Sequence, residues 1–276
     1  MKISRIVALI IVLIAASFFL VPLYATFQFS LQMLRGQWSL QAYRSVFSDP
    51  QFLSTLSYSA VASLAAIVIS TLIIVPTTYW VRLKMPRVKP FMEFITLLPL
   101  IIPPIVIVFG YLRLYGSDSM LPLTVSTAGT NVMLVIGYAT LSLPYVFRSV
   151  DNGMQTLDIR TLTEAAEILG ASRATIIFRV ILPNLRAAIV SGAFLTFSIS
   201  FGEFVFASLL NRPAFGPYLV QIGQDRAYEP AALAVLSFAL TWACMVLMQI
   251  FANAKPGASA RRRPAALFPF ARRKTA

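Results

Sequence analysis

Six stretches of this chain run for 19 residues or more with at most one charged side chain: 6–34, 50–81, 94–112, 119–147, 187–210 and 230–254. A helix rises about 1.5 Å per residue, so roughly 20 apolar residues cross a hydrocarbon layer of about 30 Å. Inside that layer each backbone N–H and C=O needs a partner from its own segment, which selects helices or closed barrels. Runs of this length and apolarity predict helices. Charged residues supply only 12% of the chain, against about 25% in a soluble domain. The sequence therefore reads as an all-α polytopic membrane protein with six transmembrane helices.

The basic residues orient it. Of the 23 Lys and Arg residues, 18 fall on one side when the spans are threaded alternately, and 5 on the other. Cytoplasmic flanks carry the Lys and Arg excess, so both termini are expected in the cytoplasm and the net charge of +13 needs no nucleic acid. The first run is too long for a signal-peptide core and ends in no small-x-small site. The single cysteine, Cys244, allows no internal disulfide. With no histidine in the chain, Ser-His-Asp and Cys-His catalysis and His-ligated zinc are excluded. No glycine is followed by lysine, so the usual phosphate loop is absent. The chain is expected to be no enzyme and to bind no cofactor, and any work driven by ATP must use another subunit.

Proline punctuates the spans. Pro76, Pro99, Pro103 and Pro104 remove backbone donors, and the run 97–111 is expected to be kinked or locally unwound. The chain divides into a membrane domain, 1–252, and a Pro- and Arg-rich tail, 253–276, expected to be disordered and drawn to anionic lipid. No internal repeat is visible.

The longest cytoplasmic connection, 148–186, is patterned. The sequence Thr161-Leu-Thr-Glu164 fits a capping box with Thr161 at the N-cap. Leu162, Ala166 and Leu169 then recur on one face, widened by Ala165, with Arg160, Glu164 and Glu167 opposite. Gly170 can take the left-handed conformation that ends a helix, Ser172 can cap a second one, and Pro183 marks a bend towards the fifth span. The connection predicts helix, tight turn, helix. Lipid-bound helices favour Lys and Arg on the polar face, whereas Glu164 and Glu167 lie on this one. Small residues at 165, 166 and 170 favour close approach by another protein.

Glu164-Ala165-Ala166, then Gly170 after three residues, then nine residues to Val180, and Leu182-Pro183, resemble the EAA loop of permease subunits of type I binding-protein-dependent ABC importers. The only departure is Val180 where the family pattern has isoleucine. The resemblance implies a six-span fold with a core at about 50–252 and a first span wrapped around it. It implies that the helix at roughly 161–171 is a coupling helix. Glu164, Ala165, Ala166, Glu167, Gly170, Leu182 and Pro183 are then the ATPase-coupling residues. The implied partners are ABC ATPase subunits, which hydrolyse the ATP, a second permease subunit, identical or not, a periplasmic substrate-binding protein and the lipid of the cytoplasmic (inner) membrane.

Glu203 is the one acid well inside a span, with Ser198, Ser200 and Gly202 close in sequence. Intramembrane acids face protein or a water-filled path. Two readings stand: an acid of the substrate pathway, with Ser198 and Ser200, or a helix contact to a partner subunit or a protonated carboxyl. The general pattern looks closest to permeases for polyamines, ferric iron and phosphonates, and the expected cargo is a polyamine or a related small solute, with sugar permeases sharing the loop. The alternative class is an ATP-independent secondary transporter or channel, which needs its own coupling acids or a repeat.

Overall fold

A computed structural model describes residues 2–34 and 36–253. The fold is all-helical. In chain order the helices are α1 (Lys2–Ser30), α2 (Gln41–Phe47), α3 (Pro50–Lys84), α4 (Lys89–Ile101), α5 (Pro104–Tyr115), α6 (Thr127–Gln155) and α7 (Ile159–Ile168). They continue as α8 (Arg173–Asn184), α9 (Arg186–Phe201), α10 (Val205–Leu209), α11 (Phe215–Asp225) and α12 (Glu229–Asn253). Among the described residues α1, α3, α6 and α12 are each long and apolar enough to cross a membrane. Two bent pairs complete six candidate spans: the segment ending in α4 with α5, at 101°, and α8 with α9, at 76°. The basic tail at 254–276 lies outside the described residues.

Local chemistry sets the boundaries. The Asp49 carboxylate accepts the Gln51 N–H at 2.9 Å at the start of α3, where Pro50 occupies the first turn. Ser126 Oγ accepts the Gly129 N–H at 2.9 Å at the start of α6. Pro103 and Pro104 supply no N–H and part α4 from α5, so the expected kink is a full break. The fourth span starts at Thr127 rather than near 119 and runs to Gln155. The fifth stops at Phe201 rather than crossing to 210, because the chain unwinds at Gly202 and Glu203.

α3, α6 and α9 form the centre, and small residues let them approach. A Cβ on Gly137 of α6 would strike the Phe206 ring, and one on Gly192 of α9 would sit 3.3 Å from Val146 Cα. Buried hydroxyls donate within their own helices, Ser70 to the Ala66 carbonyl at 2.8 Å and Thr196 to the Gly192 carbonyl at 2.9 Å, so they cost little in an apolar setting. α1 packs along α12, with the Phe19 and Phe238 rings 6.4 Å apart. With 29 residues α6 is about 43 Å long and with 35 residues α3 is about 52 Å. Both exceed the hydrocarbon thickness, and their last turns project on the side where Arg82, Lys84 and the short helices α7 and α8 gather.

Candidate functional site at the cytoplasmic face

α7 begins one residue after Asp158, and that aspartate is its N-cap. The Thr161 N–H donates to Asp158 Oδ1 at 3.1 Å and the Thr161 hydroxyl to Oδ2 at 2.7 Å. Thr161 is therefore a donor in the first turn and not the cap, which moves the helix from 161–171 to Ile159–Ile168. These two hydrogen bonds, hydroxyl first and backbone second, hold the Asp158 carboxyl below the usual carboxylate range.

The buried face of α7 carries Ile159, Thr163 and Ala166, with Leu162 half-buried. Ile159 and Ala166 join Tyr79, Val150, Met154 and Leu185 in one apolar cluster under the loop. The stripe expected to include Leu169 is thus rotated: Ile168 and Leu169 are each 86% exposed. Their direction follows from where the helix ends. Gly170 has φ +77°, its N–H bonds the Glu167 carbonyl at 2.9 Å, and the Ala171 N–H bonds the Ala166 carbonyl at 3.0 Å. This is the Schellman closure that a left-handed glycine permits, and it turns the chain before Leu169 can reach the core. Ser172 then caps α8, accepting the Thr175 N–H at 3.3 Å.

α8 passes through Pro183 without breaking. Its middle, Ile176–Ile181, adopts π-helical register, and Asn184 Nδ2 donates to the Val180 carbonyl at 2.7 Å. The register shift and the side-chain donor meet carbonyls in the turn that holds the donor-less proline. The bend expected at Pro183 falls at Leu185, which is buried in the same cluster as Ile159. Leu182 is half-buried and Pro183 exposed.

The sequence-predicted coupling residues divide into two groups. Glu164, Ala165, Glu167 and Gly170 are exposed along one edge of α7, and Glu164 pairs with Arg160 at 3.0 Å. Ala166 faces inward and belongs to the core of this chain rather than to an outer smooth surface. Beside the edge lies a groove of about 250 Å³ lined by Tyr79, Trp80, Leu83, Lys84, Glu167 and Arg173, with the Arg173 guanidinium 5.7 Å above the Trp80 ring. An apolar tip of Ile168 and Leu169 flanked by acids is suited to a protein surface that carries an apolar recess and basic residues. Among the described residues no group of three or more His, Cys, Asp or Glu gathers to hold a metal.

Contacts without a local sequence signal anchor this edge. Thr163 donates to the Ile159 carbonyl at 2.7 Å. That uses its single proton, so in the 3.1 Å contact with Tyr79 of α3 the phenol donates. One turn further along α3, Arg82 Nε donates to Asp151 Oδ1 of α6 at 2.7 Å. Asp151 lies 69 residues from Arg82 and Tyr79 lies 84 from Thr163, and no local periodicity links either pair.

The Glu203 N–H bonds the Ser200 carbonyl at 3.3 Å, but the Glu203 side chain is held by backbone. The Glu203 carboxylate accepts the N–H groups of Val205 at 2.8 Å, Phe206 at 2.9 Å and Ala207 at 3.4 Å, and so caps α10. Ser200 is buried. Ser198 is exposed on a separate groove with Ser237, Thr241 and Trp242 of α12.

Residues 82–255 match the family described as "Binding-protein-dependent transport system inner membrane component". The chain is 28% identical over 228 residues to the molybdenum transport system permease protein ModB of Mycobacterium bovis, covering 79% of this chain and 85% of that one. It is 35% identical over 123 residues to the spermidine/putrescine transport system permease protein PotC of Haemophilus influenzae, covering 42% and 47%. The fold matches a crystal structure of a bacterial ABC transporter involved in the import of the acidic polysaccharide alginate, with TM-score 0.68 and 15% identity over 92% of this chain and 98% of that one.

Proposed function

The chain belongs to the family of binding-protein-dependent transport system inner membrane components, and from that premise we propose that it forms one half of the solute path of an ATP-driven importer, with α7 as the segment on which a partner ATPase acts. Membership makes it a multi-pass inner-membrane permease subunit, a transport component rather than an enzyme, and stands against an ATP-independent secondary transporter or channel. The observation that carries the coupling assignment is the tip of α7. Ile168 and Leu169 stand 86% exposed at the end of a helix whose opposite face is built into the core. An exposed apolar pair at the end of a short helix flanked by Glu164 and Glu167 fits a recess on a docking partner. A second permease subunit and an external binding protein complete the proposed assembly.

The proposed cargo is a small solute. A polyamine is supported by the likeness to PotC. One observation favours a second reading, an oxyanion of the kind a molybdenum permease handles: the intramembrane acid that would attract a cation is engaged by three backbone N–H groups, and the likeness to ModB covers 79% of the chain. The test is co-purification of the chain with its ATPase, followed by uptake of spermidine and of molybdate into vesicles with each candidate binding protein. A chain that purifies without an ATPase under stabilising conditions sinks the importer reading, and the accumulated probe names the cargo.

A further inference from the structure

We propose that Asp151 is the positioning residue that ties together the ends of α3, α4 and α6 on which α7 sits, so that displacement of α7 moves those ends as one body. The proposal rests on the assignment of α7 as the ATPase-contacting segment. Asp151 is 2% exposed. Its Oδ1 accepts Arg82 Nε of α3 at 2.7 Å, and its backbone carbonyl accepts a second Arg82 nitrogen at 3.2 Å. Its Oδ2 accepts Gln155 Nε2 at 2.9 Å and lies 3.4 Å from Lys89 Nζ, in the first turn of α4. One carboxylate thus joins three helix ends. Arg82 is one turn from Tyr79, which donates to Thr163 of α7. The chain of contacts from α7 to α6 is continuous: Thr163, Tyr79, the last turn of α3, Arg82, Asp151.

Two facts make this a transmission element rather than ordinary packing. Burying the Asp151 carboxylate costs desolvation that an apolar side chain avoids, while Arg82 and Lys89 stay 21% and 34% exposed, so the value of the network lies in fixing one geometry among helices that apolar contacts alone leave free to slide. The breaks of the fold lie at Ile102–Pro103, at the far end of α4 from Lys89, and at Leu185 between α8 and α9. The 101° bend leaves α5 outside the clamped unit, whereas α9 packs on the end of α6, where a Cβ on Gly153 would lie 2.5 Å from Ala188 Cβ. Coupling between distant sites requires an element with discrete arrangements that both sites bias; here the clamped ends form one body and the α4–α5 break supplies a joint to α5.

The experiment compares the wild-type assembled complex with Asp151→Asn and with Tyr79→Phe in vesicles of phosphatidylethanolamine and phosphatidylglycerol. ATP hydrolysis and uptake are measured on the same preparation, with spermidine and molybdate as probes. The expected result is an ATPase that still assembles and hydrolyses, with uptake per ATP reduced roughly tenfold in Asp151→Asn, the size of a typical coupling factor. Tyr79→Phe should lower the same ratio and add little in the Asp151→Asn background, because both act on one path. A merely structural role lowers assembled complex, and with it both activities in parallel, leaving the ratio unchanged. An unchanged ratio in assembled Asp151→Asn overturns the proposal. If that variant does not assemble, an unchanged ratio in Tyr79→Phe overturns it. A wild-type complex with no ATPase and no uptake instead overturns the importer reading on which it rests.

Discussion

The phenol of Tyr79, near the end of α3, donates to the hydroxyl of Thr163 in α7 across 3.1 Å, and both residues are buried. The contact joins a membrane helix to a ten-residue surface helix whose Ile159 and Ala166 sit in an apolar cluster. Replacing Tyr79 by Phe keeps the ring in its cluster and removes the donor. Thr163 still donates to the Ile159 carbonyl, so no buried proton is stranded. The loss should be about 0.5–1.5 kcal/mol, read as a lower thermal midpoint in detergent. A shift beyond that range means the ring has moved and its packing has changed.

Leu169→Asp should leave that midpoint unchanged within about 0.5 kcal/mol, because the side chain is 86% exposed and leaves no cavity. Its effect falls on the partner. An apolar anchor replaced by a carboxylate costs about 2 kcal/mol or more at an interface, so the fraction of ATPase retained on purification should collapse. Full retention would remove Leu169 from the docking surface.

Gly170 separates backbone strain from crowding. A Cβ there meets nothing within 4 Å, yet φ is +77°. Gly170→Asn, which tolerates this region, should assemble with the ATPase nearly as well as wild type, whereas Gly170→Val should not. The penalty for an ordinary L residue is about 1–2 kcal/mol, enough to reopen the closure that aims Leu169 outward. Gly170→Asp should insert normally and fail in uptake per ATP, and wild-type uptake by it would sink the coupling assignment. The readouts are membrane abundance, co-purification and uptake.

These positions also show what a sequence can disclose. Gly170 and the Pro103–Pro104 break were legible because glycine and proline act through their own backbones, wherever they occur. The cap of α7 was misplaced because Thr161 and Glu164 satisfy a local pattern that Asp158 satisfies better in space, accepting both donors of Thr161. Leu169 falls on the apolar stripe with Leu162 and Ala166 in sequence because periodicity continues through a helix end that the Gly170 turn cuts short. Asp151 was invisible, since its meaning lies in Arg82, 69 residues away, and no periodicity encodes a contact between helix ends.

Asp158 gives a pH signature. Its carboxyl is held below the ordinary range by the Thr161 hydroxyl and N–H, so the folded state prefers the ionised form. The stabilisation is complete above the carboxyl's unfolded value and is lost as pH falls through its depressed folded value. Asp158→Asn should therefore match wild type less well near neutrality than at strongly acid pH, with the two thermal midpoints converging as the medium is acidified. Parallel curves at all pH values would show that the ionised cap contributes nothing to folding.

Glu203 can be tested for what it holds. Its carboxylate accepts three N–H groups at the start of α10, and the Phe206 and Ala207 beyond it are buried. The turn is also pressed from α11, where a Cβ on Gly216 would lie 2.5 Å from the Glu203 carbonyl oxygen. Glu203→Ala strands those donors and should cost about 1–2 kcal/mol, the worth of a helix cap. Glu203→Gln keeps one acceptor oxygen and should recover roughly half of that. Because the carboxylate is engaged with backbone, both variants should alter uptake of spermidine and of molybdate to the same extent, through the shape of the α9–α10 break. A rise in KM confined to spermidine in Glu203→Gln would instead mean that the acid turns from its cap to meet a cation in the path, and the polyamine reading would gain the residue it needs.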